Sequence, residues 1–426
     1  MLTYEELPAD EFRLLTIKPL SYVPPVPRPL HPSLDPVQVY GTLKTLRRED
    51  PIPIYTTLSY VWGHSSPKKY ICVNDDLLSV GPDLETALRY LRLPDEELVI
   101  WVDAVCINQE QDSKERAAHV RRIRSIYANS VKTIAWLGEP VGEGGICTDM
   151  CIEALDEIGE KVEALDVLAA IITLAKRPST EEGEFYEKMR VDINERLEGL
   201  YLKEDGMKLR SLMTGFRHIA KLPYWTRTWT QQEFAVANDI EIALGRARIS
   251  LERFHAGVLF MPWWQRRMLN FSEEAFQRGD SLDFMYWMEN FFQPLPSALD
   301  QPIGLRMRYQ HHHEEPNTGL LNVLCRAHIP LDADPRCSCT LSVDKIFGLL
   351  GVSSDGLMLD IEVNYDPPTE TVYTDVARAL IEAGNVDVLA YCQFDPLRTQ
   401  DVSLEDGELV YKLVNGNTLP SWVPDW

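Results

Sequence analysis

The chain has no excess of basic residues. Lysine and arginine number 42 against 65 aspartates and glutamates over 426 residues, so the formal net charge is −23. A surface that binds nucleic acid or an anionic membrane needs lysine and arginine to neutralise phosphate charge. We therefore expect neither nucleic acid nor a membrane among the partners of this protein.

The chain also lacks long apolar runs and any regular spacing of cysteines. No stretch approaches the roughly 20 apolar residues that span a bilayer. The first residues, MLTYEELPADEF, are acidic and unlike a secretory signal. The eight cysteines are scattered, which is unlike the disulfide framework of a secreted domain. Together these absences predict a soluble, cytoplasmic protein.

Three segments of the chain share one pattern, in which an apolar or aromatic run stops at polar groups. They are Tyr55–Gly63, Leu98–Gln109 and Leu222–Glu233. Short apolar runs are typical of buried strands, and parallel strands bring their last residues to one edge of a sheet. Ligands of open α/β sheets bind beyond that edge. The three endings therefore predict a single site.

The order of elements predicts an α/β fold with a mainly parallel sheet flanked by helices, because strands and helices alternate after residue 51. Residues 1–50 are predicted to add N-terminal strands that join the core. The segments 11–20 and 36–45 are predicted to pair as a hairpin. The core is predicted over 51–245, with a helical insertion at about 141–215. Residues 246–426 are predicted to form a mostly helical extension with further α+β elements. The chain stops at Trp426 in an extended, proline-containing segment, so we expect this extension to be truncated.

Three motifs together resemble the fungal heterokaryon-incompatibility (HET) domain. That family carries Y-x-A-L-S-Y-x-W-G, L-W-I-D-A-x-C-I-N-Q and W-x-R-x-W-x-x-Q-E, which correspond to Tyr55–Gly63, Ile100–Gln109 and Trp225–Glu233. Weaker matches at 73–92, 120–139 and 344–377 extend the resemblance over nearly the whole chain. This sequence departs from the family pattern at Thr57, at Val102 and in the segment Cys337–Val343.

The core of HET domains is similar to that of Toll/interleukin-1 receptor (TIR) domains, so the resemblance implies a TIR/flavodoxin-like sheet. TIR domains with NAD glycohydrolase activity carry a glutamate four residues after a tryptophan. Trp229 and Glu233 stand in that relation. By this resemblance Glu233 is the catalytic residue. NAD or NADP is then a substrate, and no prosthetic group is implied.

The residues that we expect to contact this nucleotide surround the three endings. Backbone amides after Ser59 and around Trp62 and Gly63 are assigned to the pyrophosphate, and Trp229 to the ribose or a stacked ring. His64 or Arg227 would add positive charge, and residues 103–109 would shape a loop over the substrate. The full expected set is Ser59, Tyr60, Trp62, Gly63, His64, Asp103, Asn108, Gln109, Arg227 and Trp229.

Plainer interpretations stand beside these. Asp103 could only pin its loop, Asn108 and Gln109 could be ordinary turn residues, and Glu233 could be a helix N-terminal carboxylate stabilised by the dipole. We assign no metal site, because the adjacent residues of the 311–313 histidine run cannot all face one ion.

Three functions remain open. The chain could be an NAD glycohydrolase that causes cell death after fusion of incompatible fungal cells. It could instead be a non-catalytic module that self-associates or binds another incompatibility protein. The third possibility is a sensor that binds the nucleotide without cleaving it.

Overall fold

The computed structural model describes most of the chain, with gaps. The described residues are 4–5, 7–8, 11–24, 38–47, 50–63, 66–109, 114–142, 148–163, 207–259, 297–311, 318–329, 336–356, 358–392, 399–405, 408–413, 419–420 and 422–426. Among them, no helix combines the length and the apolarity that crossing a bilayer requires.

The strands form a nine-stranded sheet and a separate two-stranded hairpin. Those of the large sheet are β1 (Phe12–Ile17), β2 (Tyr40–Leu46), β3 (Thr56–Tyr60), β4 (Lys69–Val73), β5 (Asp76–Val80), β6 (Leu98–Trp101), β7 (Lys132–Trp136), β8 (Ile240–Leu244) and β9 (Ala247–Ser250). Their order across the sheet is β5-β4-β2-β1-β6-β3-β7-β8-β9. The hairpin pairs β10 (Thr399–Glu405) with β11 (Glu408–Leu413).

The helices lie between and after these strands. They are α1 (Pro82–Leu91), α2 (Asp103–Cys106), α3 (Lys114–Ala128), α4 (Thr148–Glu163), α5 (Met207–Ala220), α6 (Thr228–Val236), α7 (Asp300–His311), α8 (Leu320–His328), α9 (Asp344–Phe347) and α10 (Thr369–Glu382). Residues 251–259 are also helical. A short 3-10 turn, Pro223–Thr226, leads into α6.

The α/β class is confirmed, and the sheet is mixed. Its four central strands, β6, β3, β7 and β8, run parallel to one another, as does the pair β2 and β4. The other neighbouring pairs are antiparallel. The prediction of a mainly parallel sheet therefore describes only the centre. Short turns connect β4 to β5 and β8 to β9, and such connections allow antiparallel pairing alone.

The N-terminal hairpin is confirmed, whereas β5 and β9 were missed. Phe12 pairs with Leu46 and Ile17 with Gly41 across the antiparallel pair β1 and β2. The turn before β5 places Asn74 and Asp75 at positive φ, which is the backbone of a tight hairpin turn. An Asn-Asp pair between two apolar runs was thus a signal for β5.

The side chains at the end of β3 show that the two helices next to the site, α6 and α1, lie on opposite faces of the sheet. Ser59 and Tyr60 are consecutive strand residues, so their side chains point to opposite faces of the sheet. The Ser59 hydroxyl bonds Tyr224, just before α6. Tyr60 pairs in register with Trp136, on which Tyr90 of α1 packs. Near the end of β3, α6 therefore lies on one face and α1 on the other.

The described part of the predicted insertion is helical. Helix α4 packs against α5 and against β8 and β9. Both helices contribute to a second hydrophobic cluster beside β8, built around the buried ring of Trp225. The helix that we predict near 184–200 lies outside the described residues.

Candidate functional site

The carboxyl edge of the parallel strands carries most of the residues predicted for the site. Ser59 and Tyr60 end β3, and Asp103 begins α2 two residues after the last residue of β6. Strands β3 and β6 are parallel neighbours, so these endings meet at one edge. Ser59 and Tyr60 are both buried.

Glu233 reaches this edge from the middle of α6. The helix is held rigidly: the Thr230 hydroxyl donates to the Tyr224 carbonyl at 2.7 Å, and Arg306 donates to the Phe234 carbonyl at 3.0 Å. Every residue of α6 is buried except Trp229. Glu233 itself is only 7% exposed, and its Oε2 has no hydrogen-bond partner among the described residues. A buried carboxyl oxygen without a partner is costly unless a ligand satisfies it.

The surroundings of Glu233 disfavour its charged form. Burial raises the pKa of Glu233 from its ordinary value of 4.5 to about 8, and the charge of Asp103 adds to the rise. The hydroxyls of Ser59 and Tyr127 and the Arg227 charge lower the pKa in part. The carboxyl is thus mainly protonated at neutral pH. A carboxylate stabilised by the helix dipole would lie in the first turn and have a lowered pKa, so that interpretation is wrong.

Two tyrosines near Glu233 were missed by the sequence analysis. The Tyr224 hydroxyl lies 2.8 Å from Ser59 Oγ, and the Tyr127 hydroxyl donates to the Leu58 carbonyl at 2.9 Å. Both rings are fully buried. A buried tyrosine hydroxyl needs a polar partner, which was the available signal. Tyr127 nevertheless looked like an ordinary core position on the apolar face of α3.

Asp103 serves its loop and also faces the site. Its Oδ1 accepts the Ala104 amide at 2.7 Å, and its Oδ2 accepts the indole N–H of Trp62 at 2.9 Å. The Gln109 amide group donates to the Asp103 carbonyl at 3.0 Å, which makes Gln109 a residue of the turn. The loop role and the site role predicted for Asp103 are therefore compatible.

Gly63 faces a carboxylate. Its φ is +60°, and a Cβ at this position would lie 1.6 Å from Oδ2 of Asp83 in the first turn of α1. Only glycine combines this backbone conformation with such a close neighbour. The carboxylate would repel an anion at this place, so the electrostatics oppose the predicted pyrophosphate contact at Gly63.

Three carboxyl groups act electrostatically on Tyr60, the last residue of β3. Burial raises the pKa of Tyr60 well above its usual value, and the charges of Asp103, Glu233 and Asp83 raise it further. Arg227 acts in the opposite direction. The charges of Asp103 and Asp83 therefore favour a positively charged group of a ligand near Tyr60.

The other predicted residues lie at the margins or outside the described chain. Trp229 is partly buried, and a Cβ on Gly348 would lie 3.3 Å from its ring, so it packs against the C-terminal extension. The Asn108 amide donates to Glu115 Oε1 at 3.1 Å, and Glu115 forms a buried ion pair with Arg13. His64 lies outside the described residues. In the part of the chain that the structure describes, no three His, Cys, Asp or Glu side chains are grouped to hold a metal.

Comparison with known proteins identifies the segment that carries this site. The model of the family described as "Heterokaryon incompatibility protein (HET)" matches residues 55–233. The chain contains a HET domain. Heterokaryon incompatibility protein 6, OR allele, from Neurospora crassa is 28% identical over 397 residues, which cover 88% of this chain and 54% of the relative. The chain thus spans about half the length of that relative. No solved structure matches this chain, so the likeness to TIR domains stays a prediction.

The HET domain begins at the residue before β3 and ends on Glu233 itself. The C-terminal extension also contacts the site. Arg227 donates to the Thr340 hydroxyl at 3.2 Å, and the Thr228 amide donates to the Ser338 carbonyl at 2.9 Å. Both partners belong to Cys337–Val343, the segment that departs from the family pattern. The start of α6 is therefore positioned by residues outside the matched domain.

Proposed function

We propose that this HET-domain protein acts in fungal allorecognition by cleaving the bond between nicotinamide and ribose in NAD or NADP. The observation that carries the proposal is the environment of the Glu233 carboxyl group. Its carboxyl is buried at the carboxyl edge of the central strands, and its Oε2 has no hydrogen-bond partner within the described structure. Carboxyls with strongly raised pKa values in such positions are concentrated at functional sites.

The chemistry requires little more than a well-placed carboxylate. When the C1′–N bond breaks, its electron pair passes to the ring nitrogen, and nicotinamide leaves as a neutral molecule without a general acid. The ribose is left as an oxocarbenium-like cation, which a carboxylate stabilises. Water then attacks C1′ and releases one proton. Glu233 would stabilise the cation, and the Ser59 hydroxyl would help to hold its carboxyl group in place.

The raised pKa of Glu233 is compatible with this role. A positively charged nicotinamide ring beside the carboxyl favours its ionised form and therefore lowers its pKa on binding. The nearby charges of Asp83 and Asp103 favour the same cation. We therefore expect binding of NAD to release a proton near pH 7, when Glu233 ionises against its ligand.

The test is nicotinamide release from NAD by the purified chain over a wide range of protein concentration. Glu233→Gln should reduce release by about 100-fold or more, which is the size of effect expected for removing a transition-state charge contact. Glu382→Gln, an exposed glutamate at the end of α10, is the matched control and should leave the rate unchanged. Release that persists in Glu233→Gln would show that the site is assigned wrongly.

Self-association, or pairing with another incompatibility protein, is the second proposal. Ile52, Ile54 and Val131 are 63%, 81% and 55% exposed. Ile54 and Val131 precede β3 and β7, where the Val131 amide donates to the Tyr55 carbonyl at 3.0 Å. These side chains lie at the amino edge of the sheet, so assembly of two copies through them would leave the Glu233 edge open.

Assembly makes a separate prediction for the same assay. Release that rises more steeply than linearly with protein concentration, and becomes linear in Ile54→Ser, would support an assembled active form. No release at any concentration, even from chains fused to an oligomerising tag, would favour the non-catalytic module. Tight NAD binding without release would favour the sensor.

A further inference from the structure

We propose that Arg89 and Arg246, which flank the ring of Tyr90, form an anion subsite for the phosphates of the nucleotide. The identity of the ligand rests on the proposed function, whereas the anion site itself rests on the geometry described below. It would replace the backbone around Gly63 as the place where the pyrophosphate binds.

The two guanidinium groups converge on one aromatic ring. That of Arg89 lies 5.2 Å from the centre of the Tyr90 ring, and that of Arg246 lies 5.8 Å from it. Tyr90 in turn packs on Trp136 with ring centres 5.6 Å apart. Contact with an aromatic face orients a guanidinium and leaves its N–H edge available for two-point contact with phosphate oxygens.

The backbone brings this pair to the same edge as Glu233. Trp136 pairs in register with Tyr60 on one side and with Ala243 on the other. The Gly245 amide donates to the Gly138 carbonyl at 2.9 Å, which places the Arg246 turn beside the segment after β7. Neighbouring strands lie about 4.8 Å apart, so the turn lies roughly 10 Å from the end of β3.

The charges at the two ends of this edge are complementary to a dinucleotide. The carboxyls of Asp83, Asp103 and Glu233 all act electrostatically on Tyr60, and the cationic nicotinamide ring would bind beside Glu233. The arginine pair would take the anionic pyrophosphate. Register-paired residues share a face of the sheet, so Trp136 and the Tyr90 ring on it lie on the face to which Tyr60 points. Helix α6 lies on the other face, so a dinucleotide that reaches both Glu233 and the arginine pair would cross the carboxyl edge of the sheet.

The Arg246 guanidinium is available to bind an anion, and that of Arg89 makes only weak contacts with carboxylates. Within the described structure, Arg246 forms no hydrogen bond or ion pair, and its side chain is exposed. Arg89 lies 3.7 Å from Glu85 and 3.6 Å from Glu139, distances too long for strong hydrogen bonds. The Glu139 side chain is 56% exposed, so an incoming anion can displace it from Arg89.

The direct test is calorimetric titration of the full chain with inorganic pyrophosphate and, separately, with ADP-ribose. Arg246→Gln and Arg89→Gln should each weaken binding about tenfold, as expected for loss of a charge-assisted contact. Arg378→Gln is the matched control, because this exposed arginine of α10 pairs only locally with Asp375. Glu139→Gln should tighten binding a few-fold by removing the competing carboxylate.

The outcomes separate this proposal from the cleavage proposal. If the wild-type chain binds neither ligand, or if both arginine variants bind as the wild type does, the subsite is wrong. If arginine-dependent binding is observed without nicotinamide release, the subsite stands and the cleavage proposal fails. If release occurs, the arginine variants should raise KM for NAD about tenfold and leave KM for nicotinamide riboside, which has no phosphate, unchanged. An unchanged KM for NAD would overturn the subsite.

Discussion

Replacing Glu233 with glutamine should make the folded protein more stable at neutral pH. The folded pKa of about 8 exceeds the ordinary value of 4.5, so the folded state holds its proton more tightly than the unfolded state. As pH rises above 4.5, the unfolded chain gains from ionisation while the folded chain does not. The wild type therefore loses stability until pH passes the folded pKa.

The size of the effect follows from this linkage. Each pH unit between 4.5 and 8 costs about 1.4 kcal/mol of folding free energy. The penalty reaches about 3 kcal/mol at pH 7 and levels off near 5 kcal/mol above pH 8. Glutamine has nearly the same shape and does not titrate. The difference in unfolding free energy between Glu233→Gln and wild type should therefore grow with pH by these amounts.

The assay is urea unfolding of the two proteins at intervals from pH 4.5 to pH 9. Groups that do not interact with Glu233 titrate alike in both proteins and cancel in the difference. Glu382→Gln, which removes an exposed carboxyl group of α10, is the matched control. A Glu233→Gln difference that is flat, or that falls between pH 5 and pH 8, would refute the buried, mainly protonated carboxyl on which the proposed site depends.

Three further changes test neighbouring parts of the fold. Asp103→Asn removes a charge that raises the pKa of Glu233, so the pH-dependent loss of stability should end at a lower pH in the same urea series. Glu115→Gln leaves Arg13 buried without its partner and should cost about 3–5 kcal/mol in urea unfolding; a loss under 1 kcal/mol would contradict the pair's burial. Gly63→Ala should lower the melting temperature, because a positive φ costs about 1 kcal/mol and the added Cβ meets a carboxylate. An unchanged melting temperature would mean that this turn differs from the one described.

The central strands could be predicted because their patterns are local. The segments Tyr55–Gly63 and Leu98–Gln109 contain β3 and β6, and the leucine spacing after Pro82 matches α1. In the C-terminal extension the sequence predicts a helix at about Thr369–Ala383, and α10 spans Thr369–Glu382. Strands β5 and β9 are as short as β3 and β6, but most of their residues are only partly buried, so they lack the continuous apolar run that marks a buried strand.

Some residues of the candidate site could be predicted from the sequence, and others could not. Glu233 could be selected from its motif, and the α/β pattern predicted that Ser59 and Asp103 would share an edge with it. The role of Tyr224 could not be predicted, because its contact with Ser59 joins positions 165 residues apart. Thr340 could not either, since its contact with Arg227 comes from a segment where the family pattern breaks.

The order of the central strands and their helices, the relation to HET domains and the identity of the candidate carboxylate all follow from the amino-acid sequence. These depend on periodicity and on motifs whose residues lie close together in the chain. The three-dimensional structure was needed to show that Glu233 is buried and mainly protonated, that Asp83 fills the space beside Gly63, and that Arg89 and Arg246 meet at Tyr90. Desolvation and charge coupling depend on distances in space, and folding sets those distances between residues that are remote in the chain.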